Sequence, residues 1–165
     1  MKWFAFLVVL MHCTAVAAQN PDIEFEPHVG ATVPGDVAFR EARLGDYYGR
    51  APVVLVLGYF GCVNLCGTTL TGVDEALRRT GLAPDGDYSA LFVSVDPRDE
   101  KAVPERRPGW HFLTGAAAAA RVAEAVGFRY AFEKESGQFA HPAGFVVLTP
   151  EGKVAQYFEG VRFDS

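Results

Sequence analysis

Two cysteines and a distant histidine are the residues of this chain with the most distinctive chemistry. Three residues separate Cys62 from Cys66, and His141 precedes Pro142 far downstream. An apolar run over 52–60 comes just before the cysteines, so we expect a buried strand to end there and a helix to begin. On a helix this spacing places both sulfur atoms on one face, one turn apart. Because a helix N-terminus favours negative charge, we expect both thiols to become thiolates easily.

This set of residues suits a soft metal ion. Two thiolates and an imidazole are good ligands for copper or zinc and poor ligands for cations that prefer oxygen. Structural zinc usually takes four protein ligands, and the third cysteine, Cys13, lies in the N-terminal leader. Three-coordinate binding by Cys62, Cys66 and His141 fits Cu(I), and with a weak axial ligand it also fits Cu(II). The residues therefore predict either a soft metal site or a redox centre.

The cysteine pair has two other interpretations that the sequence leaves open. A structural disulfide would close a loop of only three residues and would remove little chain entropy from the unfolded state. A thiol-disulfide oxidoreductase or redox sensor would use Cys62 as the nucleophile and Cys66 as the resolving thiol. Dedicated oxidoreductases of thioredoxin-like folds have two residues between their cysteines, which counts against the second interpretation.

The other histidines are interpreted as structural. His12 lies in the leader, and His28 lies in a segment rich in proline and glycine, which indicates a solvated surface position. His111 follows Trp110 in a short predicted strand, where a packing role at the sheet edge is expected.

Several polar and aromatic residues near the cysteines have a similar structural interpretation. The segment 96–99 predicts a helix N-terminus capped by Asp96, or alternatively a charged rim used for docking. We interpret Tyr59, Phe60 and Tyr130 as aromatic residues of the core or of the surroundings of the site.

The first 18 residues have the features of a signal peptide. An apolar stretch over 3–11 is too short to span a membrane, and small residues follow at 15–18. Cys13 would suit a lipid anchor, but the preceding His12 is a poor residue for such processing. We expect an exported, periplasmic protein, with an uncleaved leader as a possible tether to the inner membrane.

The remaining chain predicts one α/β domain. Residues 19–36 are expected to form an exposed, extended arm, and residues 37–165 a thioredoxin-like domain, in which 37–50 form a strand or hairpin beside the first core strand. The formal net charge of −5 disfavours nucleic acid as a partner. The predicted strands are 52–59, 88–95, 110–113, 128–132, 144–148 and 154–158, and the predicted helices are 68–79, a short one from 96, and 116–126.

Strands and helices alternate along the chain and a hairpin ends it, which is the order of a thioredoxin-like mixed sheet with flanking helices. In such folds the loop before the final hairpin lies against the cysteine turn and often carries a cis-proline. We therefore expect a cis peptide bond between His141 and Pro142. A last helix that should follow the hairpin is missing from the sequence, which predicts an exposed apolar patch beside the hairpin.

Four segments, in this order, resemble the Sco/SenC family of thioredoxin-fold copper proteins that assist cytochrome c oxidase assembly. They are GYFGCVNLC at 58–66, VSVDPRD at 93–99, FLTG at 112–115 and FAHPAGFVVLTPEG at 139–152. The resemblance implies that Cys62, Cys66 and His141 are copper ligands. It also implies delivery of copper to, or thiol reduction at, the binuclear copper centre of oxidase subunit II or another periplasmic copper protein.

The chain departs from the usual family pattern around the proposed ligands. Val63 and Gly67 stand where typical members have prolines, and Asn64 replaces the usual aspartate between the cysteines. Pro142 follows the histidine where many members have threonine. Less negative charge beside the thiolates would change the redox potential and the choice of partner. A membrane-associated target follows from the resemblance, and a metallochaperone fits it better than an enzyme.

Overall fold

The structure, a computed structural model, describes residues 23–63, 65–102 and 107–163. Its central sheet has five strands in the order β3-β2-β1-β6-β7, and a separate two-stranded sheet pairs β4 with β5. The strands are β1 (Val53–Gly58), β2 (Ser89–Ser94), β3 (Trp110–Leu113), β4 (Ala131–Glu133), β5 (Gln138–Ala140), β6 (Gly144–Leu148) and β7 (Val154–Glu159). The α-helices are α1 (Cys66–Thr80) and α2 (Ala116–Ala125).

Strand β1 is buried along its whole length because both faces of the sheet are covered. Its alternate residues Val54 and Val56 pack in one core with Leu70 and Val73 of α1. Val53, Leu55 and Leu57 pack in a second core with the apolar face of α2. The continuous apolar run in the sequence is thus two interleaved core faces of one strand.

The predicted thioredoxin-like α/β fold is confirmed. Strands β1, β2 and β3 run parallel, whereas β6 runs antiparallel to β1 and β7 antiparallel to β6. The helix predicted over 68–79 begins two residues earlier, at Cys66, and ends at Thr80, where Gly81 takes a left-handed conformation that closes it.

The local structure differs in detail from the sequence predictions. Residues 37–50 form no strand beside β1, whose neighbours are β2 and β6; they contain an isolated antiparallel bridge between Ala38 and Arg43 and a 3₁₀ helix at Leu44–Tyr47. Its Leu44 is fully buried, so the apolar residues of this segment fill the core without sheet pairing. Strand β4 overlaps the end of the strand predicted over 128–132, whereas its hairpin partner β5 was not predicted. The short helix expected from 96 is a 3₁₀ helix, Pro97–Lys101.

The predicted arm over 19–36 is exposed or half-buried at most of its described residues, but two of its apolar side chains are buried. Phe25 and Val33 lie in the same core as α2, and isolated β-bridges join Phe25 to Phe128 and Thr32 to Lys153. The predicted signal peptide, and residues 19–22 of the predicted arm, lie outside the described residues.

An apolar groove lies between α1 and the β6–β7 hairpin, where the sequence predicted an exposed patch. It has a volume of about 390 Å³, and Phe158 on its wall is 41% exposed. The apolar part of its lining is Val54, Ala76, Leu77, Phe145, Val147, Phe158 and Phe163. Among the described helices, none has the length and apolar character needed to span a membrane.

Candidate metal centre

The sheet topology brings the two cysteines and the histidine to one end of the central sheet. Cys62 lies in the turn that follows β1, and Cys66 is the first residue of α1. His141 lies in the short connection between β5 and β6. Because β6 is antiparallel to β1, the start of β6 lies at the end of β1, next to the cysteine turn.

The three predicted side chains form one compact group. Their possible ligand atoms, two sulfur atoms and an imidazole nitrogen, all lie within 4.8 Å of one another. Cys66 Sγ lies 2.9 Å from His141 Nε2. Both cysteines are reduced thiols. Within residues 23–63, 65–102 and 107–163, no other group of three or more histidine, cysteine or acidic residues has this geometry.

The imidazole of His141 is oriented for metal binding through Nε2. Its Nδ1 lies 3.0 Å from the Pro142 carbonyl oxygen, so Nδ1 carries the ring proton and its N–H donates a hydrogen bond to that oxygen. Burial lowers the pKa of His141, although the Pro142 carbonyl acts in the opposite direction. A neutral ring with its Nε2 lone pair directed at the cysteines is the form that a metal ion requires.

The predicted cis bond between His141 and Pro142 is wrong. The described part of the chain contains no cis peptide bond, so this bond is trans. The trans form is the lower-energy state of an X-Pro bond by about 0.5–1 kcal/mol, and here it still brings the imidazole to the cysteine turn.

Two predictions about the cysteines themselves need correction. The pair does not share a helix, because the first intrahelical bond runs from Thr69 N–H to Leu65 O and Cys62 precedes it in the turn. Nor is the Cys66 thiol activated by the helix N-terminus: burial raises its pKa, and a side-chain hydrogen bond with Cys62 raises it further. Loss of solvation at a site that is only 6% exposed disfavours the charged thiolate.

A buried carboxylate fixes the start of the cysteine turn. Asp99, 6% exposed, accepts hydrogen bonds from the Phe60 backbone N–H at 2.7 Å and from Ser94 Oγ at 2.6 Å. Ser94 in turn accepts from the Asp96 N–H at 3.2 Å. Through these bonds Asp99 joins the end of β2 to Phe60, two residues before Cys62. The sequence indicated only a helix N-terminus or a charged rim for the segment that contains Asp99.

We expect Asp99→Ala to lower the free energy of unfolding by about 2 kcal/mol, because two buried donors lose their acceptor. Urea denaturation measures the loss. Asp36→Ala is the matched control, since Asp36 lies on the surface and pairs with Arg121 at 3.3 Å. The control should stay within about 0.5 kcal/mol of the wild type. Equal losses in the two variants would contradict the positioning role of Asp99.

The remaining residues singled out from the sequence lie outside the three-residue group. His28 is partly buried, with its Nδ1 at 3.3 Å from the Ala125 carbonyl oxygen. His111 lies on the edge strand β3, where its ring packs against Tyr47 and its Nε2 lies 2.6 Å from a carboxylate oxygen of Asp85. These contacts confirm a packing role at the sheet edge. Asp96 caps the 3₁₀ turn by accepting from the Arg98 N–H, as predicted.

The aromatic residues surround the histidine. Tyr59 and Phe128 contact the His141 ring with centroids 5.8 and 5.7 Å away, and Tyr130 packs on Phe128.

The fold and the group of Cys62, Cys66 and His141 together define a thioredoxin-like protein with a Cys2His centre. The sequence model of the SCO1/SenC family matches residues 41–164, and the chain belongs to that family.

Solved structures share the fold over most of the chain. ScoI of Bradyrhizobium japonicum with copper bound is 25% identical, covers 69% of this chain and 78% of its own, and superposes with a TM-score of 0.55. ScoI of Arabidopsis thaliana with copper bound is 22% identical, with coverages of 69% and 76% and a TM-score of 0.59. Apo Sco1 of Thermus thermophilus is 24% identical, with coverages of 82% and 83% and a TM-score of 0.55. No curated protein matches the chain.

Proposed function

We propose that this chain is a copper-binding assembly factor that holds one copper ion on Cys62, Cys66 and His141. The observation that carries the proposal is the convergence of two thiols and one oriented imidazole nitrogen within 4.8 Å. Two soft sulfur ligands and one imidazole match the preferences of Cu(I), and a further weak ligand would accommodate Cu(II). Membership of the SCO1/SenC family and the copper-bound ScoI structures support the same choice of metal.

The exposure of the ligands suits a protein that gives its copper away. Cys66 is buried, whereas Cys62 and His141 are partly exposed, so a partner has access to one side of the ion. We propose the binuclear copper centre of cytochrome c oxidase subunit II as the recipient, through copper delivery or reduction of its thiols. The signal peptide predicted over the first 18 residues supports an exported, periplasmic location close to this membrane-associated target.

The alternative function is a thiol-disulfide oxidoreductase or redox sensor. The two reduced thiols lie close enough to hydrogen-bond, and Cys62 is the more exposed of the two, as a nucleophile should be. Thiol-disulfide exchange needs neither the raised pKa of Cys66 nor the orientation of His141 Nε2 toward the sulfurs, so these two features favour metal binding over the alternative.

Copper titration separates the two functions. The reduced full chain, titrated with Cu(I) against a competing chelator, should bind one ion per chain, and the double variant Cys62→Ser, Cys66→Ser should bind none. Mixing the loaded protein with the reduced copper domain of oxidase subunit II should then transfer the ion. If the wild type binds no copper yet reduces a disulfide substrate through Cys62, the oxidoreductase function replaces the proposal.

A further inference from the structure

The β4–β5 hairpin, which leads into His141, lies outside the central sheet. Among the described strands, β4 and β5 pair only with each other. A hairpin of two three-residue strands is at best marginally stable alone, so contacts with its surroundings must set its position. His141 follows the last residue of β5 directly and stands three residues before β6 begins at Gly144. The position of the imidazole therefore depends on where the hairpin lies.

A side-chain hydrogen bond between Tyr59 and Gln138 joins this hairpin to the cysteine turn. Tyr59 follows β1 directly, three residues before Cys62, and is only 1% exposed. Its hydroxyl donates to Oε1 of Gln138 at 2.7 Å. Gln138 is the first residue of β5 and lies three residues before His141. One hydrogen bond thus links the segment that carries Cys62 to the segment that carries His141.

A second polar attachment of the hairpin is exposed to water. Arg98 donates from Nη1 to the Gly137 carbonyl oxygen at 3.2 Å, and its guanidinium lies 5.8 Å from the centre of the Phe132 ring. The Arg98 side chain is 57% exposed and also pairs with the Asp96 carboxylate. Water competes for a bond to an exposed guanidinium, whereas it has little access to a buried phenol. The bond from Tyr59 is therefore the stronger constraint on the hairpin.

The ring of Tyr59 holds the imidazole at the same point. The Tyr59 and His141 rings meet edge to face, with centroids 5.8 Å apart and planes at 80°. A second edge-to-face contact joins the Tyr59 ring to Phe139 of β5 at 5.7 Å. Both contacts need the hairpin to lie against Tyr59, which is the arrangement that the bond to Gln138 maintains.

We infer that Gln138 is a positioning residue of the metal centre, which accepts the Tyr59 hydrogen bond and thereby holds His141 against the cysteines. The inference rests on the proposed copper binding by His141. Gln138 is not one of the three possible ligands, so it acts through the backbone of β5. An amide or a carboxylate at position 138 accepts this bond, whereas a hydrocarbon side chain does not. Without the acceptor, the buried hydroxyl loses its partner and the hairpin is free to move away from Tyr59.

Two variants of similar size test the role of the acceptor. Gln138→Leu removes the acceptor oxygen and Gln138→Glu keeps it. The reduced full chain is titrated with Cu(I) against a competing chelator. Gln138→Leu should weaken binding about tenfold, as is typical of residues that support a metal ligand, and Gln138→Glu should stay within about threefold of the wild type. An equal loss in both variants would overturn the inference.

Gln156→Leu is the matched control for these variants. Gln156 is exposed on β7, and its side-chain amide lies 3.5 Å from the carbonyl oxygen of its neighbour Tyr157. The same change of glutamine to leucine is thus made on a strand away from the cysteine turn. Gln156→Leu should bind copper as the wild type does.

Double variants show whether the loss depends on this bond and on His141. Tyr59→Phe removes the hydroxyl, keeps the ring and should weaken binding as much as Gln138→Leu does. Because both changes break one bond, the double variant should lose no more than either single variant. In a His141→Ala background, Gln138→Leu should leave the affinity unchanged. Additive losses, or an undiminished loss without His141, would indicate general loosening of the fold and would overturn the inference. If Gln138→Leu does not fold, Tyr59→Phe carries the same predictions.

Nuclear magnetic resonance of the metal-free protein separates this inference from the proposed function. His141 Nε2 lies 2.9 Å from Cys66 Sγ, so protons of the two side chains are close enough to show a nuclear Overhauser effect. Gln138→Leu should weaken this signal severalfold, and Gln138→Glu should keep it. If the wild type binds no copper, the proposed function fails and this measurement decides the inference. An unchanged signal in Gln138→Leu would then overturn it.

Discussion

Replacing His141 with alanine should weaken copper binding more than ~100-fold while leaving the protein folded. Loss of residues that only support metal ligands typically costs 10–100-fold in affinity, so loss of a ligand should exceed that range. The imidazole projects from a loop, and its hydrogen bond to the Pro142 carbonyl is local, so the core does not depend on it. Competition against a chelator of known affinity measures the change, and urea denaturation checks the fold.

His111→Ala is the control for this experiment. His111 is of the same residue type and is also partly exposed, but it lies on β3, pairs with Asp85 and is absent from the three-residue group. Its copper affinity should remain within about twofold of the wild type. If His141→Ala also retained wild-type affinity, the two sulfurs alone would hold the ion and the assignment of a three-ligand centre would be wrong.

The location of the site was predictable because it depends on sequence patterns that are local and strong. A continuous apolar run before Cys62 indicated a fully buried strand, and the apolar run at 144–148 placed a second strand just after His141. In a mixed sheet of this kind, the end of the first strand and the start of the second lie side by side. The meeting of Cys62, Cys66 and His141 follows from that topology.

The properties of the individual side chains were not predictable in the same way. The raised pKa of Cys66 depends on how deeply the start of α1 is buried, which the spacing of two cysteines does not reveal. The hydrogen bonds of Asp99 and Tyr59 join segments 39 and 79 residues apart. Such contacts are fixed by tertiary packing, and no pattern within a short window of sequence encodes them.

The missed β4–β5 hairpin has a similar cause. Its strands, Ala131–Glu133 and Gln138–Ala140, have three residues each and mix exposed with half-buried positions. The sequence predicted only the start of β4, as the end of a strand over 128–132, and β5 has neither the alternation nor the long apolar run that marks a strand. Yet this hairpin carries Gln138 and leads directly to His141. The part of the fold that was hardest to predict therefore supports the proposed ligand that is most distant from the cysteines in sequence.

Gly144→Ala should lower the free energy of unfolding by at least about 3 kcal/mol. Gly144 begins β6 with φ at +149°, a conformation that residues with a side chain rarely adopt. An added Cβ would overlap the Phe158 carbonyl oxygen on the neighbouring strand and lie 3.1 Å from the Glu159 Cα and 3.0 Å from the Phe25 ring. Backbone atoms of a paired strand cannot yield as a flexible side chain can, so the β6–β7 pairing must shift.

The same substitution should weaken copper binding, because Gly144 stands three residues after His141 and fixes where β6 starts. Gly67→Ala is the matched control: it lies in α1 beside Cys66, and an added Cβ meets nothing within 4 Å. Alanine is the better helix former by up to ~1 kcal/mol, so the control should be as stable as the wild type or slightly more stable. Urea denaturation and copper titration of both variants test the prediction. A Gly144→Ala protein with wild-type stability would show that β6 tolerates a side chain at its first residue, and the histidine loop would then owe its position to the β4–β5 hairpin alone.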